Sequence, residues 1–263
     1  MSERLKIAVN KNSSKNTRLP IAEEFGNYRF GRDALAHLFR YLFIGEWIIK
    51  NARAAKKPLQ VLDIGCGDIY VVRVLVSSFR VKKTDVIARY VGFDIDDKSL
   101  RRTEKTKPHS LQVELVCGDV TDGGLAQFRD DEFDLVICTE VIEHVKPEFV
   151  EGFLNEIKRI GRYAIISTPN FAGGTGKLPE DHIKEWTYRE LSALLRACGI
   201  DVLQEIGTFC NLNRVKRLAV HDSSIESTFR FLERRMDSDL LSLCMARVIG
   251  NEAQNVMYVC KLK

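Results

Sequence analysis

The chain has 263 residues, of which 45% are hydrophobic and 29% are charged, a composition that supports one large domain with a buried core. No apolar run approaches the about 18 residues that a membrane-spanning helix needs, and the polar stretch 1–17 lacks the apolar centre of a signal peptide. These features argue against integral membrane association and predict a cytoplasmic protein.

Positive charge is concentrated in the first part of the chain. Residues 1–60 contain 12 Lys and Arg against 5 Asp and Glu, a net charge of +7, which leaves −3 for the remainder of a chain whose total is +4. A basic segment of this kind could contact the phosphates of a nucleic acid. No alternation of aromatic and basic residues accompanies the charge, so the sequence favours a solvated face instead.

The cysteines predict a reducing compartment. There are seven of them, an odd number, and no two have the Cys-x-x-Cys spacing of a redox or metal motif. Cys66, Cys117, Cys138 and Cys260 lie in apolar segments, so we expect reduced, buried thiols.

Short apolar runs alternate with amphipathic segments from residue 58 onward. The strands are predicted at 61–64, 90–96, 113–119, 133–138, 162–167, 202–209 and 256–262, and the helices follow Asp68, Asp97, Pro147 and Thr187. Thr187 with Glu190 forms the capping-box pattern of a helix start. Alternation of this kind predicts an α/β fold with a mostly parallel seven-stranded sheet and helices on both faces.

Two segments fall outside this alternation. Residues 1–57 are expected to form a tail and a leading helix that packs over the mouth of the site, because apolar residues recur at helical spacing after Asp33. Within the core, 58–263, the stretch 210–253 is too long for a hairpin loop. Ile225, Phe229 and Leu232 follow helical spacing there, which predicts a helical insertion. It could pack on the core, form a dimer contact or line a substrate site.

The first strand ends in a turn that contains two glycines. It reads Val61-Leu-Asp-Ile-Gly-Cys-Gly67, and glycine at such a turn lets the backbone approach a ligand closely. A dinucleotide fingerprint would place a third glycine at the start of the next helix, but Asp68 and its neighbours stand there. The Asp68 carboxylate would disfavour a pyrophosphate at this helix start. The turn therefore predicts a cofactor without phosphates.

A second glycine-rich stretch, Gly173–Lys177, imitates part of a phosphate-binding loop. Phe171 stands where the first glycine of that loop is required, and Leu178 stands where Ser or Thr is required. We therefore predict a mobile loop after the fifth strand, of the kind that closes over a bound substrate.

Taken in order, these segments resemble the class I methyltransferases that use S-adenosylmethionine. The resemblance extends from about Val61 to Phe209 and resumes at the last strand. It implies that the turn Asp63–Gly67 holds the methionine side of the cofactor, that Asp94 accepts from both ribose hydroxyls, with Asp96 as the fallback, and that Asp119 accepts from the adenine amine. The other cofactor contacts that it implies are Gly65, Cys66, Gly67, Ile95, Val120 and Glu140.

The fourth strand runs into a group of titratable residues. Glu140, Glu143 and His144 have the i, i+3, i+4 spacing that would place them on one face of a helical turn. Two carboxylates and an imidazole so placed would repel each other or stay protonated unless a cation lay between them. With His182, which follows the fifth strand, they form a candidate site for Mg²⁺, Mn²⁺ or Zn²⁺. Without a metal, His144 or His182 would be the catalytic base, with Glu143 beside them, or the group would merely line the pocket.

The same residues resemble two subfamilies. The Glu-x-x-Glu-His pattern is similar to that of the quinone-biosynthesis O-methyltransferases. Together with Asp181-His-Ile-Lys-Glu-Trp-Thr187 it is similar to that of the small-RNA 3′-end ribose 2′-O-methyltransferases. In both, the resemblance implies a cation that holds a vicinal diol. We therefore expect O-methylation, with a small hydroxylated metabolite or glycan as the first candidate acceptor, a quinone precursor second and an RNA 3′ end third. A catalytically silent binding subunit that uses the 210–253 insertion stays open.

Overall fold

The computed structural model describes residues 32–79, 82–174 and 177–263, so the predicted N-terminal tail lies outside the described residues. Within them a seven-stranded sheet has the order β3-β2-β1-β4-β5-β7-β6. The strands are Leu59–Ile64 (β1), Ile87–Asp94 (β2), Val113–Cys117 (β3), Phe133–Thr139 (β4), Gly161–Pro169 (β5), Asp201–Cys210 (β6) and Ala253–Lys261 (β7). Strand β7 is antiparallel to β5 and β6, and the other pairs are parallel. The predicted fold class is confirmed.

Helices cover both faces of the sheet. They are Arg32–Ala55 (α1), Tyr70–Ser78 (α2), Asp97–Glu104 (α3), Pro147–Ile160 (α4), Tyr188–Ala197 (α5), Leu212–Ala219 (α6), Ser223–Glu233 (α7) and Ser238–Val248 (α8). On one face α4 buries Phe153, Leu154 and Ile157 against the sheet, and on the other α1 buries Ile44 and Ile48. Each fully buried side chain of this size contributes about 1.5–3 kcal/mol. None of the helices in the described ranges combines the length and the apolar character needed to cross a membrane.

The strand order reverses at β1, and this fixes where a ligand can bind. Ile64, the last residue of β1, pairs with Phe93 of β2 on one side and Cys138 of β4 on the other. The carboxyl ends of three parallel strands therefore meet at one edge. In open α/β sheets, the crevice at such a reversal is where ligands bind.

The segment between β6 and β7 is helical, as predicted. Helices α6, α7 and α8 enclose a small apolar cluster that includes Val215, Phe229 and Met245. The side chains of Asn211, Asp222 and Asp237 accept hydrogen bonds from backbone N–H groups at the three helix starts. Each cap of this type contributes about 1 kcal/mol, and together they explain why three short helices form here.

One prediction about the cysteines is wrong. Cys66, Cys138 and Cys260 are buried, as expected, but Cys117 is exposed. Strand β3 is the edge strand of the sheet, and Cys117 is its last residue, so less of the fold covers it than covers the cysteines of the inner strands.

Candidate cofactor and metal site

A cavity of about 600 Å³ opens at the carboxyl ends of the strands. Its walls come from α1, the β1–α2 turn, the ends of β2 and β4, the loop after β5 and the start of β7. The predicted site residues that line it are Gly65, Cys66, Gly67, Asp94, Ile95, Val120, Glu140, Glu143, His144 and His182. Two further predicted residues, Asp63 and Asp119, are not among its lining residues.

The glycine turn lies at the floor of the cavity. Gly65 has φ +70° and Gly67 has φ +48°, a region that residues with a Cβ rarely adopt. A Cβ at Gly65 would lie 2.3 Å from Cγ2 of Val141, whereas a Cβ at Gly67 would have no described atom within 4 Å. Gly67 thus leaves open space for a ligand, and Gly65 allows the turn to contact the segment after β4.

Asp94 is held in place by the backbone around it. Its Oδ2 accepts from the Gly67 N–H at 2.9 Å, and its Oδ1 accepts from the Asp96 N–H at 2.9 Å. Burial raises the pKa of Asp94, while these N–H donors act in the opposite direction. Each carboxylate oxygen has a second lone pair, so Asp94 can also accept from the two hydroxyls of a ribose.

Asp63 and Asp119 have other hydrogen-bond partners. Asp63 is buried below the glycine turn, where its Oδ2 accepts from the hydroxyl of Tyr90. Asp119 Oδ1 accepts from the N–H and the hydroxyl of Thr121, at 2.8 and 2.7 Å. The Asp63 side chain therefore binds Tyr90 of β2. An adenine contact by Asp119 stays a prediction that would use its other oxygen.

Burial raises the pKa of Asp63 to about 7, from an ordinary value of 3.8. Between about pH 4 and pH 7 the folded protein thus retains a proton that the unfolded chain has lost. Stability should fall as the pH rises through this window, by up to about 1.4 kcal/mol per pH unit, and level off above it. We expect the variant Asp63→Asn, which is neutral at every pH, to lack this component. Urea unfolding at about pH 4.5 and about pH 8 measures it, and parallel pH profiles for the two proteins would contradict the assignment.

The position of Glu140 differs from the predicted one on a shared helical face with Glu143 and His144. Glu140 has φ +56° and precedes the short 3₁₀ turn Ile142–His144, so it does not share a helical face with Glu143 and His144. Its carboxylate accepts from the Ser167 hydroxyl at 3.1 Å and from Asn255 Nδ2 at 3.2 Å. The Glu140 side chain is therefore held by the neighbouring strands β5 and β7.

Arg40 also binds Glu140, and sequence reasoning missed it. The guanidinium lies 3.0 Å from Glu140 Oε1 and is buried. A signal was present: Ala36, Arg40, Ile44 and Ile48 recur every four residues and form a buried stripe of α1. A single arginine on an otherwise apolar helix face predicts a buried anionic partner. Arg40 offsets the charge of Glu140 without a metal ion.

Glu143 is fully buried and only half satisfied. Its Oε2 accepts from the Thr168 hydroxyl at 3.1 Å, whereas its Oε1 has no hydrogen-bond partner among the described residues. Burial raises the pKa of Glu143 well above its ordinary value, and the charge of Glu140 acts in the same direction. An unpaired buried carboxylate oxygen requires either a proton or a cation.

Two histidines lie close to Glu143. The rings of His144 and His182 lie edge to face with centroids 4.9 Å apart. His144 Nδ1 lies 2.8 Å from the carbonyl oxygen of Asp181, and His182 Nδ1 lies 2.8 Å from Glu185 Oε1. Both oxygens only accept, so both Nδ1 atoms carry hydrogen. In the neutral rings, Nε2 then has the lone pair that binds a metal or a proton.

The pKa values of the two histidines move in opposite directions. Burial lowers the pKa of His144. Burial also lowers the pKa of His182, but the hydrogen bond and charge of Glu185 outweigh it, so the net pKa of His182 is raised. The pair therefore contains one neutral imidazole and one with a more basic ring.

Glu143, His144 and His182 together fit a metal ion. One ligand atom from each lies within 4.8 Å of the others, and the group includes the orphan oxygen of Glu143. A carboxylate with two imidazoles suits Zn²⁺ or Mn²⁺ and also occurs with other divalent ions. Glu140, the fourth predicted ligand, is not a member of this group.

Parts of the chain are similar to known methyltransferases. Residues 62–163 match a family described as a methyltransferase domain. A small RNA 2′-O-methyltransferase of Xenopus tropicalis is 31% identical over 175 residues, which are 59% of this chain and 43% of that protein. A ubiquinone biosynthesis O-methyltransferase of Rickettsia prowazekii is 27% identical over 235 residues, 81% of this chain and 87% of that protein.

Solved structures share the fold. The small RNA methyltransferase HEN1 superposes with a TM-score of 0.60 and 17% identity over 91% of this chain and 27% of that one. The fold, the matched domain and the relatives are consistent with a class I S-adenosylmethionine-dependent methyltransferase. The chain spans less than half the length of the small RNA 2′-O-methyltransferases that it matches, 43% of the Xenopus tropicalis protein and 33% of the one from Rattus norvegicus.

Proposed function

We propose that the protein transfers the methyl group of S-adenosylmethionine to one hydroxyl of a vicinal diol, and that Glu143, His144 and His182 bind a divalent cation that holds the diol. The observation that carries the proposal is the orphan oxygen of Glu143 beside two histidines whose Nδ1 atoms are engaged. This group lines the same cavity as the glycine turn and Asp94, so a methyl donor and an acceptor can lie side by side.

The residues on the other side of the cavity fit the cofactor. Gly67 leaves room for its methionine part, Gly65 lets the turn approach Val141, and Asp94 is placed for its ribose. Arg40 and Glu140 are adjacent and oppositely charged, which complements an α-amino acid group with its carboxylate and ammonium. When bound, S-adenosylmethionine supplies an electrophilic methyl group on a sulfonium. Holding the two reactants in line supplies up to about 7–11 kcal/mol of barrier reduction.

The three proposed metal ligands, Glu143, His144 and His182, are suited to activating a hydroxyl. A bound divalent cation supplies positive charge that lowers the pKa of the attacking hydroxyl. Asp181 and Glu185 hold His144 and His182 by their Nδ1 atoms, which fixes both ring orientations. With a cation held by all three ligands, the Nε2 lone pair of His144 would be a ligand and the hydroxyl proton would leave to the solution. Without a cation, that lone pair is free to accept the hydroxyl proton, because Nδ1 donates to the Asp181 carbonyl.

Three classes of acceptor fit this chemistry. From the sequence, a small hydroxylated metabolite or glycan ranks before a quinone precursor. The RNA 3′-terminal ribose, a cis-diol, ranks third from the sequence, and 31% identity to a small RNA 2′-O-methyltransferase favours it. All of these acceptors present two neighbouring oxygens, so the diol is the shared chemistry.

A transfer assay with methyl-labelled S-adenosylmethionine tests the proposal. The acceptors are a short single-stranded RNA with a free 3′-terminal ribose, 3,4-dihydroxybenzoate and a cellular metabolite extract. The matched controls are the same RNA with a 2′-deoxy 3′ end and 3-hydroxybenzoate, each of which lacks one of the paired hydroxyls. We expect label in at least one diol and in neither control. Label in the controls would contradict the proposal that the acceptor is a diol. Cofactor binding without transfer to any acceptor would favour the alternative of a catalytically silent binding subunit.

A further inference from the structure

The helical insertion contacts the loop that follows β5, one wall of the cavity. In α6, Arg214 donates a hydrogen bond from Nη1 to the carbonyl oxygen of Ala172. Its Nε lies 3.2 Å from Glu252 Oε2, at the other end of the insertion. One guanidinium therefore joins the start of the insertion, its end and the loop.

Close packing reinforces this link. A Cβ at Gly173 would lie 1.7 Å from the carbonyl oxygen of Ala253, so the loop backbone lies directly against the start of β7. Asn170, which is buried, donates from Nδ2 to the carbonyls of Asn251 at 3.1 Å and Ala253 at 2.7 Å. The beginning of the loop cannot move without the segment that closes the insertion.

The insertion also contacts α1, which forms another part of the cavity wall. In α8, the guanidinium of Arg247 lies 5.0 Å from the centre of the Phe39 ring in α1. Ala36, His37 and Arg40 of the same helix line the cavity. The insertion thus contacts two of the elements that line the cavity.

The loop wall leads directly to the proposed metal ligands. Gly174, Lys177 and Pro179 line the cavity. Further along, the Asp181 carbonyl accepts from His144, and the N–H groups of Ile183 and Lys184 donate to the Glu143 carbonyl at 2.8 and 3.1 Å. A shift of Ala172 and Gly173 would therefore change the space beside Gly174, while these hydrogen bonds hold residues 181–184 to the segment of Glu143 and His144.

We infer that the insertion sets the width of the acceptor end of the cavity and that Arg214 is a positioning residue for acceptor binding. The assignment of this end to the acceptor rests on the proposed function. The coupling between the insertion and the loop does not depend on it. The cofactor end, formed by the β1–α2 turn and the end of β2, has no contact with Arg214 in the described hydrogen bonds and ion pairs. The two ends should therefore respond differently when Arg214 is changed.

The test compares Arg214→Met with Arg217→Met in the full chain. Arg217 is in the same helix and its side chain is exposed, so it controls for the loss of a positive charge. Arg214→Lys, which keeps the charge and one donor, should recover part of the effect, and Glu252→Gln serves as a second variant if Arg214→Met fails to fold.

Two measurements separate the coupling from the proposed function. Hydrogen exchange on the complex with S-adenosylhomocysteine should accelerate by about tenfold or more at residues 173–174 in Arg214→Met only, because their amide N–H groups donate to the Asn170 carbonyl within the loop. In the transfer assay, KM for the acceptor that is methylated should rise by about tenfold or more, with cofactor affinity within about twofold, since a displacement of about 1 Å costs about 10²-fold.

Each outcome decides one question. Unchanged exchange in both Arg214→Met and Glu252→Gln overturns the inference, whatever the acceptor. Accelerated exchange in a protein that methylates none of the three acceptors supports the coupling and rejects the proposed function. If Arg214→Met weakens cofactor binding as much as it raises KM for the acceptor, Arg214 supports the fold in general, which also overturns the inference.

Discussion

Removal of divalent cations with EDTA is expected to abolish methyl transfer and to leave the affinity for S-adenosylhomocysteine nearly unchanged. Glu143, His144 and His182 form the proposed acceptor end of the cavity, whereas the glycine turn and Asp94 form the proposed cofactor end. Loss of metal or acid–base assistance costs about 10²–10⁴-fold in rate. Adding back Mg²⁺, Mn²⁺ or Zn²⁺ should restore the rate, and the ion that restores it best identifies the metal.

Variants of the ligands should behave like the chelated protein. His182→Ala and Glu143→Gln are expected to lower kcat or raise KM for the acceptor to a similar degree, with cofactor affinity retained. His109→Ala is the matched control because His109 is exposed and is not a member of the metal group. Cofactor binding is measured by calorimetry and transfer by label incorporation. Full activity in EDTA would reject the metal and leave His144 or His182 as a simple base.

Asp94→Ala is expected to weaken binding of S-adenosylhomocysteine by at least about tenfold. A hydrogen bond to a charged acceptor contributes about 1.5–3 kcal/mol, and about 1.4 kcal/mol corresponds to one order of magnitude in affinity. The substitution removes the proposed acceptor of the ribose hydroxyls. It also removes the partner of the Gly67 N–H, so the glycine turn loses part of its support.

The control for this effect is Asp97→Ala. Asp97 is three residues away in the chain and exposed, and its carboxylate pairs with Arg101 on the surface of α3. Its loss should change affinity by less than about twofold, because exposed ion pairs contribute little. Thermal denaturation shows whether both variants are folded. If Asp94→Ala binds as tightly as the wild type, the ribose contact must be reassigned, with Asp96 as the next candidate.

The sequence predicted the sheet well because the relevant signals are local. A buried parallel strand is a short apolar run, and the runs at β1 and β4 contain few polar residues, so their positions follow from composition. The strand ends were less accurate. β5 extends to Pro169 and β6 begins at Asp201, because pairing with the antiparallel β7 continues beyond the apolar run.

The site was predicted in part, and the errors have a physical cause. The spacing of Glu140, Glu143 and His144 indicated that the three belong together, but spacing alone could not show that Glu140 adopts a left-handed conformation. That conformation and the ion pair with Arg40 of α1 keep Glu140 apart from Glu143, His144 and His182. Contacts between residues about 100 positions apart depend on tertiary packing, which periodicity does not encode.

The two ends of the insertion meet within the sheet. Cys210, the last residue of β6, pairs with Ala253, the first residue of β7, so the chain leaves the core and returns to it at neighbouring positions. Because doubling the length of a segment closed in this way costs only about 0.6 kcal/mol, helices could be gained, lost or exchanged here over evolutionary time with little effect on the sheet. Acceptor range could therefore diverge among relatives, or be engineered by exchange of this segment, while the cofactor end stays the same.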